Sequence, residues 1–125
     1  MKQLRTIIRN TLIIDNEELM NNNLIKVFSE NGLHLDIISS KHDYISRLKQ
    51  KNYDCVMINS DLPNNLTAKT IDAIKGNYPW MIVIVLLVNL SYAKVFDFVR
   101  LGVDDFVIKP FSWENIESVY KHYYY

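Results

Sequence analysis

The chain has 125 residues, 49% of them hydrophobic and 22% charged, with 14 basic residues balancing 14 acidic ones. That length is one ordinary domain with material for a single sizeable core, and a net charge of zero gives no electrostatic drive toward nucleic acid or an anionic membrane. A lone cysteine, Cys55, excludes an internal disulfide and fits a reducing compartment. Residues 1–10 lack the apolar stretch of a signal peptide, and the longest apolar run, residues 80–88, is far too short to span a bilayer as a helix. A cytoplasmic protein is therefore expected, with no membrane partner and no direct contact with nucleic acid.

Residues 11–14 form a short β-rich run that ends at Asp15-Asn16. Residues 17–31 follow, with Leu19, Met20, Leu24, Val27 and Phe28 at helical spacing and Asn31-Gly32 as a stop. Glu17 and Glu18 suit the positive end of that helix. Residues 33–38 read as a second strand. Residues 40–51 read as a helix with Tyr44, Ile45 and Leu48 on one face and Ser40 as N-cap. A third strand over 53–58 leads into a polar loop over 59–65. A helix over 67–75 carries Ile71 and Ile74 and is closed by Gly76. Residues 80–87 are a nearly all-apolar strand, and 91–101 a helix closed by Gly102. A short fifth strand, 106–108, turns at Lys109-Pro110-Phe111 into a last helix over 113–125, capped by Ser112.

Five strands alternate with five helices. Strands that are apolar on both faces, separated by helices, predict a doubly wound α/β fold: a five-stranded parallel sheet, covered on both sides, in a single domain over residues 1–125. Its crossovers should be right-handed. Sites in such sheets lie at the carboxyl ends of the strands. That rule selects Asp15-Asn16, Asn59-Ser60-Asp61, Leu87-Val88-Asn89 and Lys109-Pro110 as four points that converge in space.

Two segments carry a family resemblance. Residues 101–111 read LGVDDFVIKPF: a glycine, a small residue, an acidic pair, an aromatic, an apolar run and Lys-Pro-Phe. Residues 53–58 read YDCVMI and are followed by Asn59 and, four later, Pro63. With the spacing between them, the chain resembles the receiver domains of two-component response regulators from about Thr11 to Tyr120. The resemblance implies a flavodoxin-like (βα)5 fold and a cis Lys109–Pro110 bond. It also implies a site in which an aspartate ending strand three accepts a phosphoryl group. Two acidic residues after strand one bind magnesium, and a Thr or Ser after strand four contacts the phosphoryl group. A lysine pairs with it, and an aromatic on strand five reports the event. Here the acceptor position is Asn59, the second acidic position is Asn16 beside a kept Asp15, and the Thr/Ser position is Leu87. Lys109 is kept, and the switch aromatic is Phe106.

These departures point one way. A carboxamide is uncharged and a poor nucleophile, so Asn59 should form no acyl phosphate, and it is a poor magnesium ligand. The ordinary site holds three carboxylates and one lysine, and one magnesium ion neutralises the excess. Here Asp15 and Lys109 already cancel. Lys109 is expected to pair with Asp15, with Asn59 hydrogen-bonded beside them. Leu87 cannot donate to a phosphoryl oxygen, and Phe106, lacking a hydroxyl, should stay buried. Asp61 should point out of this vestigial pocket. On spacing alone Asn59 would be a turn residue, Asp15-Asn16 a helix-cap region and Lys109 a surface lysine; the fourfold coincidence assigns them to the pocket.

The reading is a non-enzymatic, phosphorylation-independent interaction module in signal transduction or transcription regulation. Its partner is a protein, with a homodimer as one form. The candidate surface is the helix 4–strand 5–helix 5 face, with Lys94, Asp97, Arg100, Asp104, Asp105, Trp113, Tyr120 and Lys121, beside Phe96, Phe98, Val99, Ile116 and Val119. An acidic residue is usual in transcription-factor receivers where Arg100 stands. Two other classes compete. One is a receiver still phosphorylated, with magnesium, at Asp61, Asp15 or a deamidated Asn59. The other is a flavodoxin-like small-ligand binder, against which stands the lack of a glycine-rich loop after strand one, the glycines being Gly32, Gly76 and Gly102. His34, His42 and His122 show no ligand spacing, so neither metal nor cofactor is expected. Cys55 reads as a small core residue.

Overall fold

The computed structural model describes residues 8–16, 21–39 and 43–123. The elements are β1 (Asn10–Ile14), α1 (Asn21–Glu30), β2 (His34–Ile38), α2 (Tyr44–Gln50), β3 (Cys55–Asn59), α3 (Leu66–Asn77), β4 (Ile82–Leu87), α4 (Tyr92–Arg100), β5 (Asp105–Ile108) and α5 (Trp113–Tyr120). All neighbouring strands are parallel, in the order β2-β1-β3-β4-β5. The predicted five-stranded doubly wound α/β sheet is the observed one.

Successive strand residues point to opposite faces, and both faces here are core. Leu12, Ile14, Val56, Ile58, Val83, Val85 and Leu87 meet Leu48, Ile71, Ile74 and Phe98 of α2, α3 and α4. Ile13, Met57, Ile84 and Leu86 meet Phe28, Ile116 and Tyr120 of α1 and α5. Every residue of β3 and β4 is buried. Each such aliphatic side chain contributes about 1.5–3 kcal/mol. This fixes the sheet, and with it the positions of the strand ends. Cys55 lies in this core, and burial pushes its thiol pKa up. It is packing, not reactive chemistry.

Several element ends differ from the expected ones. The cap of α2 is Asp43, which accepts from the Ser46 amide; Ser40 lies outside the described residues, as do residues 17–20 with the expected Leu19, Met20, Glu17 and Glu18. Gly76 does not close α3 but sits inside it, exposed, with open space around it. Gly32 and Gly102 do end α1 and α4, with φ of 73° and 95°, a left-handed turn that glycine adopts without strain. β3 starts at Cys55 and β4 at Ile82. Trp80, expected in β4, is 72% exposed in the preceding turn, edge-on to Tyr78. The last helix ends at Tyr120 and not at 125; Lys121–Tyr123 form one 3-10 turn, and residues 124–125 lie outside the described set. Among the described residues no helix is long and apolar enough to cross a membrane.

Candidate functional site

Parallel pairing places Ile58 beside Ile14, and Asn59 beside Leu86. The end of β3 is therefore held between the ends of β1 and β4. Asp15 follows β1 directly, and its amide donates to Ile38 at the end of β2. The Lys109 amide donates to Leu87, which fixes the lysine where β4 and β5 end; the Lys109–Pro110 bond is cis, as the resemblance implies.

At this point three side chains meet. Asn59 Nδ2 donates to Asp15 Oδ1 at 2.8 Å. Lys109 Nζ donates to the other carboxylate oxygen, Asp15 Oδ2, at 2.6 Å. The Asp15 and Lys109 side chains are only 2% and 10% exposed, and Asn59 is buried too. The expected ion pair, with the amide beside it, is thus what the fold assembles. A carboxylate in so dry a position needs both partners, because desolvation of an unpaired charge costs several kcal/mol.

The amide is held from its other end as well. Asn59 Oδ1 accepts from the Asp61 amide at 2.7 Å, and the Asn59 carbonyl accepts from Thr67 Oγ1 at 2.8 Å. Thr67 Oγ1 in turn accepts from the Leu62 amide. Ser60 Oγ accepts from the Val88 amide, tying β3 to the β4 exit. Asn64 and Asn65, with φ of 59° and 58°, turn the loop back into α3. Thr67 and Ser60 were not among the sequence candidates. A threonine in the first turn of an expected helix carries no sign in sequence that its hydroxyl is buried against a strand end.

The remaining candidates fall around this centre. Asn16 is exposed just beyond it. Leu87 is 1% exposed and belongs to the core layer under α2, α3 and α4, so β4 offers no side-chain donor there. Asp61 is exposed and faces away, its carboxylate accepting from Lys94 of α4 at 2.8 Å. Phe106, expected to be buried, is only half-buried, because β5 is an edge strand paired on one side.

The donor set does not fit magnesium. The ion seeks several hard anionic oxygens, and Asp15 is the one carboxylate at this point among the described residues, with Asn59 and Lys109 on its two oxygens. Among the described residues no three His, Cys, Asp or Glu side chains are grouped for a metal ion.

The helix 4–strand 5–helix 5 face divides. Tyr120 is 2% exposed, its hydroxyl bonded to Thr11 Oγ1 at 2.7 Å, and burial pushes its pKa up. Trp113 is half-buried, edge-on to Phe28 with ring centroids 5.3 Å apart. Phe98 and Ile116 are buried. These residues anchor the helices and are not surface. Asp104 accepts from Lys75 Nζ and from the Val83 amide, so it fastens the start of β4. Asp105 accepts from the Phe106 amide and lies 3.5 Å from His122. Lys121 lies 3.7 Å from Glu117. What stays outside is Leu90, Tyr92, Phe96, Val99 and Ile108, with Asp97 and Arg100.

Comparison with known proteins agrees with this geometry. The family description "Response regulator receiver domain" matches residues 11–121. The two-component response regulator PhoP of Pseudomonas aeruginosa is 22% identical over 107 residues, which is 86% of this chain and 48% of PhoP, so the chain spans about half of that relative's length. Chemotaxis protein CheY4 of Vibrio cholerae superposes with a TM-score of 0.83 at 13% identity, covering 93% of this chain and 98% of CheY4. The NtrC4 receiver domain, solved as a beryllofluoride-activated dimer, superposes with a TM-score of 0.81 at 26% identity, covering 90% and 93%.

Proposed function

We propose that this chain, which belongs to the response regulator receiver domain family, is a receiver whose phosphoryl switch is replaced by a fixed, charge-neutral pocket. It works in signal transduction by protein contact, not by catalysing its own phosphorylation. The observation that carries the reading is the closed set Lys109–Asp15–Asn59, in which both carboxylate oxygens and both ends of the amide are engaged. An amide at the acceptor position offers no nucleophilic oxygen of carboxylate basicity. The neutral pocket gives a divalent cation no electrostatic reason to enter. Asp61, the nearest other carboxylate on the loop, faces Lys94.

The contact surface is the exposed part of α4 and β5. The activated NtrC4 receiver that this chain resembles is a dimer, which supports a protein partner on this domain. We place the protein in the cytoplasm, in keeping with its single buried thiol.

The test is incubation with magnesium and acetyl phosphate, beside an Asn59→Asp variant, with intact mass read for both. The wild type should gain no phosphate. Labelling of the variant alone would make Asn59 the whole block, and labelling of neither would make Asn16 and Leu87 part of it. A labelled wild type would overturn the reading.

A further inference from the structure

Between α3 and α4 lies a groove of about 450 Å³, within the size range of small-ligand pockets. Leu62, Ala68, Phe98 and Leu101 supply its apolar lining. Three charged side chains line it as well: Asp61, Lys94 and Asp97. Lys94 Nζ donates to Asp61 Oδ1 at 2.8 Å and so joins α4 to the loop after β3. Asp61 Oδ2 accepts no hydrogen bond, and Asp97 has no ion-pair partner, among the described residues. Two carboxylates against one ammonium group leave the lining with an excess of negative charge. At 100° per residue, Asp97 shares one flank of α4 with Lys94 and Leu101, while Tyr92 and Val99 lie on the other. The groove is therefore separate from the apolar outer face of that helix.

One buried donor also lines the groove. Ser60 is only 8% exposed there. Its Oγ accepts from the Val88 amide at 3.2 Å, but its own proton has no acceptor among the described residues. A buried donor left without an acceptor is unfavourable, and a ligand atom in the groove can satisfy it.

We infer that this groove binds a small free amine: an ammonium group on a compact apolar body that carries one hydrogen-bond acceptor. Charge decides the sign of the ligand. An anion would meet two carboxylates, whereas a cation meets Asp97 and the open oxygen of Asp61. Magnesium is a poorer occupant, because it seeks several hard anionic oxygens and Asp61 is shared with Lys94. The apolar lining is covered only by a ligand with an apolar body. The Ser60 hydroxyl donates to an oxygen on that body. The Lys94–Asp61 bridge crosses the end of the groove nearest β3, which suits a compact molecule and obstructs an extended chain. Bound there, the amine touches both the loop that leaves Asn59 and the helix whose outer face carries the proposed contact. The site stands whether or not the domain takes phosphate.

The experiment is a proton–nitrogen correlation titration of the full chain with 2-amino-1-phenylethanol, up to about 10 mM, the range in which weak ligands saturate. Shifts should be confined to residues 60–68 and 94–101. Three related molecules separate the parts of the site. The N-acetylated form has no charge, 3-phenylpropionate reverses the charge, and 2-phenylethylamine lacks the hydroxyl. The first two should bind about fivefold or more weakly, as a partly exposed ion pair requires. The third should bind about fivefold more weakly, through loss of the Ser60 bond. Asp97→Asn should weaken binding of the hydroxylated amine about fivefold, and Ser60→Ala should bind both amines equally. If Ser60→Ala fails to fold, the two amines compared on the wild type still read the Ser60 bond. No shift at the highest concentration, shifts spread over other surfaces, equal binding of the carboxylate, or wild-type binding by Asp97→Asn would each overturn the inference.

Discussion

The strand-end pocket and the outer face of α4 each hold an acid and a base, and the fold treats them in opposite ways. In the pocket, Asp15 and Lys109 lie 2.6 Å apart, almost wholly out of water, with an amide completing the set. On α4, Asp97 and Arg100 stand in solvent, one helical turn apart, with no ion-pair partner among the described residues. In the first arrangement both carboxylate oxygens and both ends of the amide already have partners within the fold. The second has no partner of opposite charge among the described residues. In a phosphorylated receiver the pocket receives the signal and the surface transmits it. On the reading proposed above, the pocket here receives no phosphoryl group, and the exposed part of α4 and β5 carries the contact.

The comparison is broken most forcefully at Lys109. Lys109→Met would leave the Asp15 carboxylate buried with one partner gone. An uncompensated buried charge costs about 3–5 kcal/mol, so the urea midpoint should fall accordingly. Adding Asp15→Asn to Lys109→Met should recover most of the loss, since a buried pair replaced as a whole is often close to neutral. If the single variant loses less than about 1 kcal/mol, water reaches the pair and the pocket is not closed as described.

Asn59→Asp tests the same pocket from its third corner. A second carboxylate would stand in hydrogen-bond range of Asp15 in a buried position, where two like charges cannot both ionise cheaply. The expected cost is about 3 kcal/mol without metal. Magnesium should then raise the melting temperature of the variant and leave that of the wild type unchanged. A wild type stabilised by magnesium would show that the donor set does hold the ion.

How much of this was legible in the sequence depends on what each residue's neighbours leave open. The strands of the sheet centre were readable because β3 and β4 are buried on both faces, so no polar residue interrupts them until the chain exits at Asn59 and Leu87. The pocket was readable because sites in parallel sheets lie at the carboxyl ends of the strands and because the resemblance to receiver domains marked Asp15, Asn59 and Lys109 among those ends. The surface was less readable. Tyr120 and Phe96 are both aromatic residues on neighbouring helices, yet one is 2% exposed and the other 68%. Helical spacing shows which residues share a stripe but not which of two apolar stripes meets the sheet. Trp80 misled for a related reason: an apolar neighbour of a strand is not a strand residue, and its ring rests on Tyr78 in the turn. The hydroxyl of Thr67 could be found only by knowing that α3 passes under the end of β3.

A partly exposed cluster on the β2 edge sits between the two extremes. Burial raises the Asp36 pKa, but hydrogen bonds from Tyr53, Lys51 and His34 outweigh it and bring it down from 3.8 to about 2. A carboxyl lowered in the folded state stabilises above its unfolded value and loses that contribution as pH falls through the folded one. The window is therefore pH 4 down to about pH 2, and the contribution is on the order of 2 kcal/mol before solvent screening. Asp36→Asn should flatten the stability profile across that window and leave it unchanged near neutrality apart from a constant offset. A profile with the same slope in both proteins would assign the acid sensitivity to another carboxylate.

The smallest effect on stability is expected where the effect on association is largest. Phe96 is 68% exposed, so in the monomer most of its ring already touches water and little is lost by removing it. Phe96→Ser should change the unfolding free energy by no more than about 0.5 kcal/mol, a step hardly visible beside that of Lys109→Met. The same change removes the centre of the exposed α4 surface proposed above as the contact, and with a second copy as the partner it should abolish concentration-dependent self-association. The two measurements need one protein preparation: urea unfolding at low concentration, where the chain is monomeric, and sedimentation at high concentration. Unchanged stability with lost association would separate the roles of the two regions cleanly. A large loss of stability at low concentration would instead place Phe96 against its own domain, and the face of α4 would then have no unpartnered stripe.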